Sequence, residues 1–327
     1  MGEPFVSICA VAYNHAPYIR ECLNGFLKQK TDFPFEILIH DDASTDGTGD
    51  IIREYAKKYP DIIRPVLETE NQYSKGITNI SGAFNFPRAR GKYIALSDCD
   101  DYWCDPEKLR IQTDYMESHP DCMMTVHCAK TVNENGEFIN RNLMRPYPHD
   151  CLLTSEELVD KAGSFPFASM LLRAEIVKTL PDYYVRCPVG DRPLELMAAA
   201  KGYAFYFDRP MSVYRFNGAG SWTNGMMSGD YKKKQNEYAK KMREMYESFD
   251  RETGGQFRRE AVSASHRVFY LTQVNLRNWN VIYDRKYWKF YQELPGREKF
   301  FCMFEHRLPH IYQGVQGLYH KMKKPGR

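Results

Sequence analysis

A regular alternation of short apolar runs with amphipathic segments over the first hundred residues limits the possible folds more than any other property of this chain. Four apolar runs have the length of strands and no polar face, which is typical of strands buried on both sides of a parallel sheet. The segments between them show helical spacing, with Pro17 near a helix start. The order β-α-β-α-β-α-β predicts an α/β fold with a doubly wound, mostly parallel sheet. The runs are FVSICAVAYN (5–14), FEILIHDD (35–42), DIIRPVLE (61–68) and KYIALSD (92–98).

The rest of the chain continues this mixture and then becomes helical. We predict a helix at 107–118, a strand at 122–130, and strands at 165–176 and 203–216 on either side of a helix that begins near Arg192. From about residue 230 the apolar spacing is helical throughout. We therefore expect a body of residues 1–229 and a separate helical extension of residues 230–327.

Charge divides the chain at the same place. The net charge of +3 conceals 24 Lys and Arg against 31 Asp and Glu in residues 1–229, and 21 against 11 in residues 230–327. The body is therefore acidic and the extension is basic. A basic helical face is most often simply solvated, but it also suits an acidic partner surface.

Cysteine usage and hydropathy favour a cytoplasmic location. The nine cysteines are an odd number without a CxxC pair, so we expect reduced core residues rather than a disulfide framework or a zinc site. The chain does not start with a basic segment followed by an apolar one, and no apolar run approaches the roughly 20 residues that span a bilayer. The inner face of the plasma membrane is a second location that we consider.

Acidic residues follow two of the predicted strands at their carboxyl ends. Asp at a strand end is also a common turn former and helix cap, so each one alone has an ordinary structural explanation. Together they would converge in one crevice, where like charges repel unless a cation compensates. Carboxylates select Mg²⁺ or Mn²⁺, and Mg²⁺ typically completes its shell with phosphate and water, which implies a diphosphate ligand. The residues are Asp41, Asp42, Asp98, Asp100 and Asp101.

Known phosphate-binding motifs do not account for this pattern. The chain has no GxxxxGK[ST] loop and no GxGxxG after its first strand. It is therefore neither a P-loop protein nor a conventional dinucleotide-binding protein.

Four motifs together resemble family 2 glycosyltransferases, which are inverting enzymes of the GT-A fold that use sugar nucleotides. The motifs are SICAVAYNHAPYIRECL, ILIHDDASTDGT, ALSDCDDYWCDPEKL and VGDRPLELMAA. They occur in the family's order and cover roughly residues 4–222. The resemblance implies a donor half of about residues 1–105 and an acceptor half of about residues 106–229.

The resemblance also implies a nucleotide site at the strand ends. Tyr13 corresponds to the residue that stacks on the base, and Asp42 to the acid that hydrogen-bonds the base edge, which would suit uracil or thymine. Arg215, in SVYRFNGAGSW, would supply positive charge near the phosphates. The full set implied for the nucleotide is Ala12, Tyr13, Asn14, Asp41, Asp42, Asp98 and Arg215.

Asp98-Cys99-Asp100 resembles the family's DxD motif, whose last acid binds Mn²⁺ or Mg²⁺. Some members use two adjacent acids, so Asp100 and Asp101 are both candidate metal ligands. Asn217 stands where a His is often found.

The catalytic chemistry implied by the resemblance needs a base on the acceptor side. Asp191 resembles the general base, although it would also suit a helix N-cap. Ser169, Met170 and Trp222 correspond to positions where family members contact the acceptor. Ser169 and Met170 belong to the apolar segment FPFASMLL (165–172), whose composition is also typical of a core strand.

The extension interleaves aromatic and basic residues between 284 and 313, as interfacial helices do. We expect contact with an anionic membrane, or else packing on the body or on a second copy as a homodimer. No RNP-like or OB-like pattern is present, so we do not expect nucleic acid as a partner.

The sequence thus predicts a metal-dependent inverting transferase. Its donor would be a nucleotide sugar, with a UDP-sugar favoured, and its acceptor a saccharide or lipid-linked saccharide of surface polysaccharide biosynthesis. A sugar-1-phosphate nucleotidyltransferase and an inactive nucleotide- or carbohydrate-binding module are the alternatives.

Overall fold

A computed structural model describes residues 2–139, 144–161, 165–216 and 222–311, without the side chains of residues 222–224. The strands of this part of the chain belong to one sheet. They are β1 Val6–Ala12, β2 Phe35–Asp41, β3 Ile63–Leu67, β4 Tyr93–Asp98, β5 Tyr102–Trp103, β6 Cys122–Val132, β7 Cys151–Leu153, β8 Leu171–Arg173 and β9 Tyr203–Arg215.

Helices cover the sheet and form the C-terminal part of the chain. The α-helices in the described residues are α1 Ile19–Leu27, α2 Thr48–Lys58, α3 Lys108–Ser118, α4 Ser155–Asp160, α5 Asp182–Arg186, α6 Asp191–Ala199, α7 Trp222–Met227, α8 Tyr231–Glu252, α9 Arg258–Asn275, α10 Trp279–Ile282, α11 Trp288–Glu293 and α12 Gly296–Arg307. Shorter helical turns lie at Tyr73–Lys75, Ser81–Asn85, Phe86–Arg88, Phe167–Ser169, Ala174–Ile176 and Arg285–Tyr287.

The strand order is β3-β2-β1-β4-β8-β6-β9-β5, with β7 paired to β9. β1 to β4 are parallel to one another, because each is joined to the next by a helical crossover. β8 runs antiparallel to both β4 and β6, whereas β6 and β9 are parallel. The predicted α/β class is confirmed, and β1 to β4 form one parallel part of this mixed sheet.

One predicted strand is much shorter than expected. Residues 165–176 were expected to be a strand, but only Leu171–Arg173 is extended, with helical turns on either side. An apolar run shows that a segment is buried but does not distinguish a strand from a buried turn.

The hydrophobic core crosses the predicted boundary at residue 229. Met242, Met245 and Phe249 of α8 lie in the same apolar cluster as Leu194 and Leu196 of α6. The end of α9 and helices α10 to α12 surround a smaller, separate cluster that includes Tyr270 and Phe290. The boundary itself stays a prediction, but the first half of the extension is part of the main core.

The composition predicted reduced cysteines in the core and no membrane-spanning segment. Seven of the nine cysteines are buried, and all nine are free thiols. Among the described helices, none combines the length and the apolar character needed to cross a membrane.

Candidate functional site

The carboxyl ends of three neighbouring strands meet at one edge of the sheet. The parallel register pairs Ala12 with Asp41 on one side of β1 and Val11 with Asp98 on the other. In an open α/β sheet this edge is where ligands bind. The structure therefore brings the residues after β1, β2 and β4 into one region.

The turn after β1 is held against the turn after β2. Asn14 has a φ of 55°, a left-handed conformation that Asn tolerates better than most residues. Its Oδ1 accepts the N–H of Thr45 at 2.9 Å, and its own N–H donates to Ser44 Oγ at 2.8 Å. Tyr13, just before it, leaves its ring 39% exposed. The Tyr13 ring is therefore accessible at this edge, and its stacking on a base stays a prediction.

The two acids after β2 have different environments. Asp41 accepts a hydrogen bond from the Ser44 hydroxyl, and burial raises the pKa of Asp41. Asp42 is buried and accepts the main-chain N–H groups of Gln72 at 2.7 Å and Tyr73 at 3.0 Å. Asp42 therefore fixes the segment that follows β3 beside the turns after β1 and β2.

The acids after β4 also separate into two environments. Asp101 is buried, and its Oδ1 accepts the main-chain N–H of Arg215 at 2.8 Å. Asp98 and Asp100 are half-buried, and their carboxylates accept no hydrogen bond from any described residue. Two carboxyl groups at the edge of the sheet thus lack a hydrogen-bond donor among the described residues.

The guanidinium of Arg215 forms its hydrogen bonds within the protein and is not exposed to solvent. Its Nε donates to the main-chain oxygen of Asp100 at 2.9 Å, and its Nη2 donates to Glu21 at 3.0 Å. The guanidinium lies 4.3 Å from the centroid of the Tyr18 ring, and the side chain is 4% exposed. These contacts support a role in holding the acidic loop, and direct contact with phosphate stays a prediction.

Asp191 begins α6 on the other half of the sheet. Its Oδ1 accepts the N–H of Arg192 at 2.7 Å. Arg192 is buried, and it donates to Tyr246 at 2.8 Å and to Glu195 at 2.6 Å. Tyr246 lies on α8, so the extension supports the start of the helix that carries Asp191.

The pKa of Asp98 responds to the charges of both Asp100 and Asp191. Burial raises the pKa of Asp98 to about 8, and the charges of Asp100 and then Asp191 add to that rise. The pKa of Asp191 is also raised, chiefly by burial. Burial, with Asp100 next in importance, raises the pKa of Asp101 well above its usual value. A cation here would relieve the repulsion among these carboxylates.

The donor set fits a hard divalent cation that substrate helps to bind. The described parts of the chain contain no cluster of three or more His, Cys, Asp or Glu side chains placed to hold a metal. Asp98 and Asp100 do offer free carboxylate oxygens, and Mg²⁺ typically takes only one or two carboxylates together with substrate phosphates. The residues present therefore suit a metal that arrives with a diphosphate.

The predicted acceptor residues are less accessible than expected. Ser169 and Met170 have no exposed surface. The Ser169 hydroxyl donates to Pro166 O at 2.6 Å, and Met170 O accepts the N–H of Leu96 at 3.1 Å. This placement supports the core interpretation of the segment over direct acceptor contact. The Trp222 side chain and the whole of Asn217 lie outside the described residues.

His15 was not among the predicted site residues. It is buried, its Nδ1 has no hydrogen-bond partner, and its main-chain N–H donates to Thr48 at 2.9 Å. Burial lowers the pKa of His15, and the charges of Asp100, Asp46 and Asp41 oppose that shift. The sequence offered one indication that His15 belongs to the site, which is its position directly after Tyr13 and Asn14. Arg192 and Tyr246 were also missed, since nothing in the sequence relates α6 to α8.

A cavity of about 570 Å³ lies at the opposite edge of the sheet. Phe5, Arg90, Lys92 and Arg173 are among its lining residues, next to the amino ends of β1 and β4. It is therefore not part of the acidic site.

Comparison with known sequences identifies the family. The model of glycosyl transferase family 2 matches residues 7–180. Rv1520 of Mycobacterium tuberculosis, an uncharacterized protein, is 34% identical over 229 residues, which cover 66% of this chain and 60% of Rv1520. The putative teichuronic acid biosynthesis glycosyltransferase TuaG of Bacillus subtilis is 35% identical over 114 residues, 35% of this chain and 42% of TuaG. The chain thus spans less than two thirds of the length of these curated relatives.

Solved structures with the same fold include two with nucleotide sugars. S. aureus TarS 1-349 in complex with UDP-GlcNAc gives a TM-score of 0.58 at 16% identity, over 90% of this chain and 82% of that one. The mannosyltransferase PcManGT from Pyrobaculum calidifontis, in complex with GDP-Man and Mn²⁺, gives 0.54 at 18% identity, over 98% and 89%. At these identities the likeness establishes the fold, which is GT-A with a C-terminal helical region.

Proposed function

Because the chain belongs to glycosyl transferase family 2 and is a glycosyltransferase, we propose that it is an inverting, metal-dependent enzyme. It transfers one sugar from a nucleotide sugar, with a UDP-sugar favoured, to a hydroxyl of a saccharide or lipid-linked saccharide. The observation that carries this proposal is the raised pKa of Asp98 at the ligand-binding edge of the sheet, to which the charges of Asp100 and Asp191 both contribute.

Asp191 is the proposed general base. In an inverting transfer the acceptor hydroxyl attacks from the face opposite the leaving diphosphate, so its proton must be removed on that side. Asp191 begins α6, which packs on β6 and β9, and burial raises the pKa of Asp191 toward the range in which a base is effective at neutral pH. The hydrogen bond from Arg192 fixes one carboxylate oxygen of Asp191, and the acceptor hydroxyl would transfer its proton to this carboxylate.

Asp100 is the proposed metal ligand, with Asp98 beside it. The carboxylate of Asp101 is buried against the main chain of β9, whereas that of Asp100 is half-exposed and accepts no hydrogen bond from the described residues. When bound, Mg²⁺ or Mn²⁺ would supply positive charge to the departing diphosphate. Arg215 would keep the acidic loop in place through its bonds to both neighbouring acids.

The nucleotide would lie between the turns after β1 and β2. The exposed ring of Tyr13 is available for stacking, and Asp42 keeps lone pairs beyond those used by Gln72 and Tyr73. A carboxylate at the base edge suits the imide N–H of uracil. TarS binds UDP-GlcNAc on the same fold. The name of TuaG supports an acceptor in surface polysaccharide synthesis.

The test is donor hydrolysis by the purified protein. UDP-glucose, UDP-GlcNAc and GDP-mannose are each incubated with Mn²⁺, with Mg²⁺ or with EDTA, and the released nucleoside diphosphate is measured. We expect release from a UDP-sugar only when metal is present, and an NMR spectrum of the first sugar product that shows inversion at the anomeric carbon. Equal release in EDTA, or retention of configuration, would contradict the mechanism. Release of a sugar 1-phosphate would indicate a nucleotidyltransferase, and no turnover of any donor would indicate a binding module.

A further inference from the structure

Helix α12 presents apolar side chains to solvent. Phe300 and Met303 lie one turn apart on one face, and Leu308 and Ile311 extend the series just past the helix end. All four are between 42% and 54% exposed. Cys302, on the opposite face, is buried in the small C-terminal cluster. The helix is therefore anchored by one side, while the second apolar side, where Phe300 stacks on Phe304 of the same helix, stays largely exposed.

Aromatic rings connect this helix to α11. Trp288 stacks on Tyr291 with 4.9 Å between ring centroids, Tyr291 lies 5.7 Å from Tyr283, and Tyr283 lies 5.1 Å from His306 of α12. Trp288 is 47% exposed. Trp and Tyr are the residues that bilayer interfaces favour, because each ring has an apolar body and a polar group.

The charge around these rings is positive. Lys286, Lys289, Arg297 and Arg307 are all exposed. The two acidic side chains of α12 do not add to this exposed surface, because Glu298 and Glu305 both form ion pairs with Arg277, each at 2.9 Å. Arg277 thus holds both carboxylates of α12 within the protein and compensates one of their two charges, while Arg297 and Arg307 are exposed.

We propose that this region docks on an anionic lipid bilayer. We define the α11–α12 surface as Trp288, Phe300, Met303, Leu308 and Ile311 with the four cations named above. Exposed apolar and aromatic side chains surrounded by Lys and Arg match the chemistry of an anionic membrane interface. A second copy of this surface would bring cations to face cations, which disfavours a symmetric dimer. The proposal does not depend on the donor, the metal or the base.

Binding of the full chain to vesicles tests the proposal. Sedimentation is measured with phosphatidylcholine vesicles and with vesicles that contain 30% phosphatidylglycerol, at low and high salt. We expect binding to the anionic vesicles that salt weakens, and at least 10-fold weaker binding to the neutral ones. Absence of binding to the anionic vesicles would overturn the proposal.

Two pairs of substitutions separate the apolar and electrostatic contributions. Phe300→Glu with Met303→Glu, and separately Arg297→Glu with Arg307→Glu, should each weaken binding at least 10-fold. Phe138→Glu is the matched apolar control, since Phe138 is exposed on the body, and Lys57→Glu is the charge control on α2. Both controls should bind like the unsubstituted chain.

Unfolding of a variant, unchanged binding and dimerisation are the other possible results, and each has a defined meaning for the proposal. Circular dichroism checks folding, and if the apolar pair unfolds the protein, the arginine pair gives the answer, because both arginines are exposed. Unchanged binding in the folded variants would overturn the proposal. A dimer in sedimentation velocity that Phe300→Glu dissociates, without vesicle binding, would assign the surface to a second copy instead.

Discussion

The main-chain N–H of Arg215 donates to Asp101 Oδ1 at 2.8 Å, and this bond joins residues 114 positions apart in the chain. The same arginine donates through Nε to the main-chain oxygen of Asp100. The end of β9 therefore holds the acidic loop after β4 at two adjacent points. Because only Nε belongs to the side chain, one of the two contacts is open to substitution.

Arg215→Lys should impair catalysis while leaving the fold intact. Lysine keeps the positive charge but lacks the planar fork that reaches Asp100 O and Glu21 together and lies over Tyr18. We expect kcat/KM to fall about 10- to 100-fold, with weaker apparent affinity for metal, because a small displacement of a reacting group has a large effect on rate. Steady-state kinetics over a Mn²⁺ titration measure both effects.

Arg145→Lys is the matched control for this substitution. Arg145 forms an ion pair with Asp208 on the surface and makes no contact with the acidic loop. Exposed ion pairs contribute little, so kinetics should be unchanged. Normal kinetics in Arg215→Lys would show that the side chain does not position the loop.

The roles of Asp100 and Asp101 can be separated by three variants. Asp101→Asn keeps an oxygen that accepts the N–H of Arg215, whereas Asp101→Ala does not. If Asp101 positions the loop, calorimetry with UDP and Mn²⁺ should show near-normal affinity in the Asn variant and weaker binding in the Ala variant. Asp100→Ala should abolish the metal-dependent part of binding. Loss of metal dependence in Asp101→Asn would identify Asp101 as the ligand instead.

The sequence predicts the first four strands of this fold well, because strands buried on both faces have continuous apolar runs. β1 to β4 lie within the four predicted runs, and the acids at their ends fall at one edge. The difference between Asp100 and Asp101 could not be predicted, since it depends on β9, which is remote in sequence. The burial of Ser169 and Met170 could not be predicted either, because an apolar segment of this kind occurs both in a protein core and in the wall of a cleft.

Asp191→Asn should remove base assistance without disturbing the helix start. The amide oxygen of Asn can still accept the N–H of Arg192, but the side chain can no longer take a proton. We expect kcat to fall about 10²- to 10⁴-fold with donor affinity nearly unchanged. Asp182→Asn, at the exposed start of α5, is the control. A variant that keeps near-normal kcat would exclude Asp191 as the base.

Glu36 offers a test of stability at the edge of the sheet opposite the acidic site. It is buried and accepts hydrogen bonds from Ser7 Oγ at 2.8 Å and from Arg90 Nη2 at 2.7 Å. Burial alone would raise the pKa of Glu36, but the bonds from Arg90 and Ser7 outweigh burial and hold that pKa below its usual value of 4.5. A depressed pKa in the folded state means that the ionised carboxylate stabilises the protein above about pH 4.5, and that this stabilisation is lost as the pH falls through the folded value.

Glu36→Gln should therefore lower the free energy of unfolding by about 2 kcal/mol at pH 7, because the amide leaves a buried donor unmatched. The difference from the unsubstituted chain should shrink as the pH falls below about 4.5 and through the lowered pKa of Glu36 in the folded protein, as measured by urea denaturation at each pH. Glu54→Gln is the control, since Glu54 pairs with Arg20 on an exposed surface. A difference that stays constant with pH would show that packing, rather than the charge of Glu36, accounts for the loss, because only the ionised carboxylate gives a contribution that protonation can remove.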